Sequence, residues 1–263
     1  VLALVLPLVF LLGLLVGSFL NVVIYRVPRG ESVVRPGSHC PTCGTPIKAW
    51  HNVPVLGWLG LRGRCAACRA PISARYPIVE LLTGLLFVAV TWRLVGLHLG
   101  SAVPAWLYFT AVGVALAAID LDLRRLPTPI IAPSYAVLAV LLGLSAAWQH
   151  DGWSLIRAAI GAAVLFGFFA LIVLVYPAGM GLGDVRLAGL VGGVLAYLSW
   201  GALIIGAFAG FLIGAVVGVA LIAARHGGRK TAVPFGPFMI AGALLALFVA
   251  EPIAHWYVDM LLG

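Results

Sequence analysis

The chain has 263 residues, 63% of them hydrophobic and 9% charged, with a formal net charge of +8. A soluble domain cannot cover that much apolar surface, so the composition excludes an ordinary globular protein and points to a polytopic membrane protein. The positive balance does not mark a nucleic-acid binder, because eight of the sixteen Lys and Arg residues sit in the single stretch 26–75.

Apolar windows near the ~20 residues that cross a bilayer predict spans at 3–25, 78–97, 102–120, 130–148, 154–176, 185–199, 202–224 and 236–258. The sixth is short, a candidate for a tilted or broken helix or for fusion with the seventh. With an outside N-terminus, fourteen cations fall on one face: the eight in 26–75, then Arg124, Arg125, Arg186, Arg225, Arg229 and Lys230. The positive-inside rule makes that face cytoplasmic and puts both termini outside. Arg93 and Arg157 dissent, and both are expected to snorkel from helix ends. The opening segment lacks a charged n-region and an A-x-A-like exit, so it reads as a retained first span, with the native start left open at Val1. The expected fold is all-α and polytopic, with about eight transmembrane helices and a small cytoplasmic four-cysteine, zinc-ribbon-like insert. Its expected domains are the first span at 1–26, a cytoplasmic loop at 27–76 and a transmembrane domain at 77–263.

The loop 27–76 holds every cysteine of the chain. Cys40, Cys43, Cys65 and Cys68 form two C-x-x-C pairs separated by 21 residues. That spacing suits a tetrahedral tetrathiolate site, each turn supplying two sulfurs to one zinc ion. A reducing cytosol keeps the thiols available, and a metal cross-link suits a loop with too little apolar mass to fold unaided. Disulfides and redox chemistry are the alternatives. Four sulfurs leave no open coordination position, so the expected zinc is structural. His39 and His51 are expected at the surface or behind the ligands.

Of eight acidic residues, Glu80, Asp120, Asp122 and Asp184 lie in or at the ends of predicted spans. A charge in hydrocarbon costs several kcal/mol, so function is the default reading. Asp120 closes the run "AVGVALAAID", and Asp184 closes "GMGLGD" at 179–184. Gly179, Gly181 and Gly183 are expected to take positive φ, permit close approach and carry Asp184 inward on an unwound turn. Two carboxylates a few ångströms apart hold one proton between them. The ionised member can then take a proton from water while the protonated one polarises a carbonyl. Asp122, beside Arg124 and Arg125, reads as a cap or ion-pair partner. Glu80 is expected to pair with Arg75 or Arg186, or to support the pocket.

In order and spacing these segments resemble the bacterial prepilin peptidases, or type IV leader peptidases, of the GxGD class of intramembrane aspartic proteases. The likeness lies in "GSFLNVVIYRVP" at 17–28, the paired C-x-x-C loop, "RYPIVELLTG" at 75–84, "IDLDLRRLP" at 119–127, "GMGLGDVRL" at 179–187 and "VPFGPF" at 233–238. The resemblance implies that Asp120 and Asp184 are the catalytic pair, with Gly181, Gly183, Arg186 and Glu80 supporting the site. Arg186 stands where the family often has Lys, and Thr128 where many members have an acidic or amide residue. The implied activity is cleavage of pilin-like precursors between a basic leader and a hydrophobic helix at the cytoplasmic face of the inner membrane. N-methylation of the new terminus by S-adenosylmethionine is also implied, with the loop 26–76 and its flanking spans as the expected methyl-donor site.

Two rival readings use the same residues. A proton-coupled transporter also carries intramembrane carboxylates, but near the midplane and often in two related halves. A non-catalytic scaffold docking partners through the metal loop would leave both aspartates without a task. Pilin-like precursors and the lipid bilayer are the expected partners, nucleic acid is not, and the oligomeric state is unreadable.

Overall fold

The apolar runs fold as helices throughout. The computed structural model describes residues 2–177, 180–224 and 233–262, with the backbone alone at 254–259 and 261–262. Gly179, Arg225, Arg229 and Lys230 therefore lie outside the described residues, as do the parts of the topology and glycine expectations that rest on them. The helices are α1 (Leu2–Arg26), the short α2 (Leu56–Gly60), α3 (Arg75–Gly96), α4 (Val103–Leu123), α5 (Thr128–Gln149), α6 (Gly152–Val175), α7 (Leu182–Leu198), α8 (Trp200–Ala223) and α9 (Gly236–Leu262). The eight long ones fall at the eight expected positions. Seven are long and apolar enough to cross a membrane by length and composition.

The eighth, α7, has 17 residues. At ~1.5 Å per residue it is about 25 Å long, shorter than a bilayer core of about 30 Å. It is neither broken nor fused with its successor: Ser199 adopts an extended conformation between α7 and α8, and its hydroxyl accepts the Ala202 N–H. Residues on all sides of α7 are buried, from Val185 and Leu187 to Ala196 and Tyr197. A helix enclosed by protein rather than lipid need not match the bilayer.

The chain divides into two compact units, residues 1–92 and 93–263. In the first, α1 meets α3 through Gly13 and Gly17, and Asn21 donates to the Tyr76 carbonyl at 3.2 Å. The second contains α4 to α9, with its core around Trp106, Leu116, Ile119, Leu187 and Leu195.

Arg93 and Arg157 are held by protein rather than snorkelling. Arg93 donates to the Leu247 carbonyl and pairs with Glu251 at 2.7 Å. Arg157 donates to the carbonyls of Ala196, Tyr197 and Leu198, the last turn of α7. A cation there satisfies orphan carbonyls and opposes the negative end of the helix dipole. This lock fixes the end of α7 remote from Asp184.

Candidate active site and candidate metal centre

Asp120 sits one turn before the end of α4 and is 5% exposed. Its carbonyl accepts the N–H of Arg124, which closes the helix in the left-handed conformation (φ 51°). Its side chain points to the start of α9, where Oδ2 accepts the Gly236 N–H at 3.1 Å. A helix N-terminus offers unpaired N–H groups and a positive dipole end, so it suits a buried carboxylate. Space is tight here: a Cβ at residue 236 would stand 2.8 Å from Asp120 Oδ2 and 3.2 Å from Leu126 Cδ2, so either side chain would have to shift.

Asp184 is the third residue of α7 and half-buried. Its Oδ2 accepts the Gly181 N–H at 3.1 Å, while its own N–H donates to the Gly181 carbonyl. This reciprocal closure starts the helix. Gly181 has φ −84° and ψ 154°, ordinary extended backbone, and Gly183 is helical. The expected positive φ and unwound turn are therefore corrected at these two glycines. What Gly183 supplies is proximity, because a Cβ there would lie 2.8 Å from Leu126 Cβ.

Leu126 joins the two halves. It lies in the short link between α4 and α5, against Gly183 on one side and Gly236 on the other. The ends of α4, α7 and α9 so converge on one side chain. Both carboxylates sit at helix ends rather than mid-span, unlike the placement a transporter would favour.

Arg186 is exposed and donates from Nη1 to Thr128 Oγ1 at 2.7 Å, while its carbonyl accepts the Tyr135 hydroxyl at 2.6 Å. These bonds tie α7 to α5. Tyr135, Leu126 and Gly236 were not singled out by the sequence, although "VPFGPF" flagged the neighbourhood of Gly236, and Thr128 stood out only as a departure from the family pattern. Asp122 is exposed beside the site. Glu80 belongs to the first unit: it is buried, accepts the Val55 N–H at Oε2 at 2.7 Å and is hydrogen bonded to Ser18.

In the loop, the four sulfurs lie within 4.8 Å of one another, and Cys40 and Cys68 are 3.8 Å apart. Sulfurs at ~2.3 Å from a tetrahedral ion stand about 3.8 Å apart, so the donor set fits a metal. All four are free thiols.

Two matching turns build the cluster. In "CPTCGTPI" the Cys40 N–H donates to Thr45, and the Gly44 N–H returns to Cys40. In "CAACRAPI" the Cys65 N–H donates to Ala70, and the Arg69 N–H returns to Cys65. The fifth residue of each turn is left-handed, Gly44 at φ 69° and Arg69 at φ 61°.

Amides of Cys43 and Thr42 hold the Cys40 thiol below its usual range, and amides of Cys68 and Ala67 do the same for Cys65. The Thr45 hydroxyl and amide lower Cys43. Cys68 is the exception: against the lowering effect of the Ala70 amide, the Cys43 thiol and burial push it up to about 11.

Two family models match the chain, the bacterial peptidase A24 N-terminal domain over residues 11–94 and the type IV leader peptidase family over 106–219. A protein from Aeromonas hydrophila is 39% identical over 275 residues, covering 95% of this chain and 92% of the relative. One from Myxococcus xanthus is 42% identical, covering 84% and 65%, and one from Pseudomonas aeruginosa 34%, covering 95% and 92%. All three are named prepilin leader peptidase/N-methyltransferase. No solved structure matches. The transporter and scaffold readings find no support among these relatives. Matched nearly end to end by such relatives and by both family models, the chain belongs to the type IV leader peptidase family.

Proposed function

We propose that this chain is a prepilin leader peptidase of the inner membrane that cleaves pilin-like precursors with Asp120 and Asp184. The observation that carries the reading is the convergence of the α4, α7 and α9 ends on Leu126, with both aspartates at that junction. Each carboxylate keeps one oxygen on a backbone N–H, which fixes its orientation without a metal or a covalent nucleophile. A shared proton between like charges then divides the labour. The ionised aspartate takes a proton from water as the water oxygen attacks the scissile carbonyl carbon. The protonated aspartate gives its hydrogen to the carbonyl oxygen. Collapse of the tetrahedral intermediate breaks the C–N bond, and a proton passes to the leaving amine.

The site faces the cytoplasm, where the loop cations also lie. Arg186 and Thr128 hold the rim, and Gly181 and Gly183 set the turn that presents Asp184. Cys40, Cys43, Cys65 and Cys68 would hold a zinc ion, which would cross-link the loop.

The relatives' names also give an N-methyltransferase; its target here is the terminus freed by cleavage, and S-adenosylmethionine suits the transfer as methyl donor. Glu80, the buried carboxylate near its expected site, is already bonded to Val55 and Ser18. No residue is assigned to that step.

The test is incubation of the purified protein with a synthetic pilin precursor and S-adenosylmethionine, followed by mass measurement. The expected product lacks its leader and carries one methyl group. An intact precursor would overturn the peptidase reading, and an unmethylated product would confine the enzyme to proteolysis.

A further inference from the structure

Between α1 and α3 the chain forms a long loop, and one stretch of it packs back onto the helices it connects. The Val55 N–H bonds to Glu80, the sixth residue of α3. At ~1.5 Å per residue, Glu80 lies about 7–8 Å inward from the first residue of that helix. Ser18, its other partner, lies eight residues before the end of α1. The turn that opens α2 is so drawn down to the level of the span ends, and Val55 takes φ 61°, unusual for a β-branched residue, in doing so.

The side chains around that turn are apolar and uncovered. Trp50 is 65% exposed, Val53 42%, Leu56 66% and Leu59 56%. Lys48 lies over the Trp50 ring, and exposed Arg62 and Arg64 follow. Across 26–75 there are eight cations and one acid, Glu31.

We propose that residues 50–59 form an interfacial foot, with Trp50, Val53, Leu56 and Leu59 inserted among the lipids of the same membrane and Lys48, Arg62 and Arg64 on anionic phospholipid headgroups. Aromatic side chains with an apolar body and polar tip settle at this level, and basic flanks add electrostatic attraction to anionic lipid. A basic peptide leader is the poorer occupant, since the loop would repel it. The foot holds the cysteine turns against the bilayer surface. It rests on the membrane fold and not on the peptidase reading, so each can fail alone.

The test is hydrogen–deuterium exchange of the full-length, zinc-loaded protein in two nanodiscs, one of phosphatidylcholine and one with three-tenths phosphatidylglycerol. Each cation brought to an anionic surface strengthens association by roughly fivefold, so the amides of 49–60 are expected to exchange at least about fivefold more slowly in the anionic disc. The Leu56→Ser/Leu59→Ser variant should lose that protection while keeping its metal. Equal exchange in the two discs, or equal exchange of wild type and variant in the anionic disc, would overturn the proposal. Protection that appears only on adding a pilin-precursor peptide would do so too, by assigning the surface to substrate.

Discussion

The cysteine loop and the aspartate junction solve opposite problems. In the loop, four ligands lie within 29 consecutive residues, and each pair is shaped by a local turn that repeats almost residue for residue. At the junction, Asp120 and Asp184 are 64 positions apart, and Asp120 is bonded to a glycine 116 positions away. One site is written in local spacing and needs an ion to join its halves. The other is assembled from helix ends and depends on how closely those ends pack. The difference teaches that the same residue type is dispensable or decisive according to what lies within reach of its Cβ.

The strongest test of the contrast is Asp120→Asn or Asp184→Asn. Each is expected to lower leader cleavage by about 10²–10⁴-fold, the usual weight of a general acid or base, with the metal content untouched. Substantial cleavage by either variant would remove that residue from the pair. Removing the metal should do the reverse. Cys40→Ser/Cys43→Ser, or a chelator, is expected to strip zinc and make 27–76 protease-sensitive while the helix content of the spans persists. Because the Cys43 thiol and burial push Cys68 up to about 11, binding at neutral pH must displace its proton. Zinc addition should therefore release acid, seen with a pH indicator, and occupancy should fall as pH falls.

The glycines sharpen the comparison further. An alanine Cβ at Gly236 would meet Asp120 itself, and one at Gly183 would meet the Cβ of Leu126, whereas at Gly181 the nearest atom is 3.4 Å away. Overpacking costs about 1–3 kcal/mol and shifts the carboxylate, so Gly236→Ala should lower kcat by up to about 10²-fold. Gly183→Ala is expected to follow, and Gly181→Ala to stay near wild type, although Gly181 opens the G-x-G-D motif. The reverse order in a cleavage assay would break this account. The smallest effect is expected in the loop. Arg69 holds the left-handed position that Gly44 holds in the matching turn, so Arg69→Gly should raise thermal stability by at most about 1 kcal/mol, since glycine also loosens the unfolded chain.

Much of the site was legible because its signals are local. The two C-x-x-C pairs announce four ligands, and a carboxylate at the end of an apolar run announces itself by its cost. What stayed hidden were partners distant in the chain. Leu126 is an ordinary apolar residue in a short link, and only packing makes it the post on which two glycines close. Thr128 looked like a departure from the family pattern until Arg186 was found to donate to it. The glycines before Asp184 were read for backbone freedom and for close approach: Gly181 and Gly183 use ordinary dihedrals, and the close approach is what holds at Gly183. Arg93 and Arg157 looked like snorkelling cations because the carbonyls they meet lie on other helices.

By itself, then, the sequence determined that this is a membrane protein of helices, where those helices lie, which residues can hold a metal and which two carboxylates need a reason to be there. Those properties follow from hydropathy, turn chemistry and spacing, all set within a few tens of residues. The tertiary structure decided that α7 is unbroken and enclosed, that Asp120 faces the N-terminus of α9, and that three helix ends meet at one leucine. Such contacts depend on atoms far apart in the chain approaching to within ångströms, which local sequence does not specify.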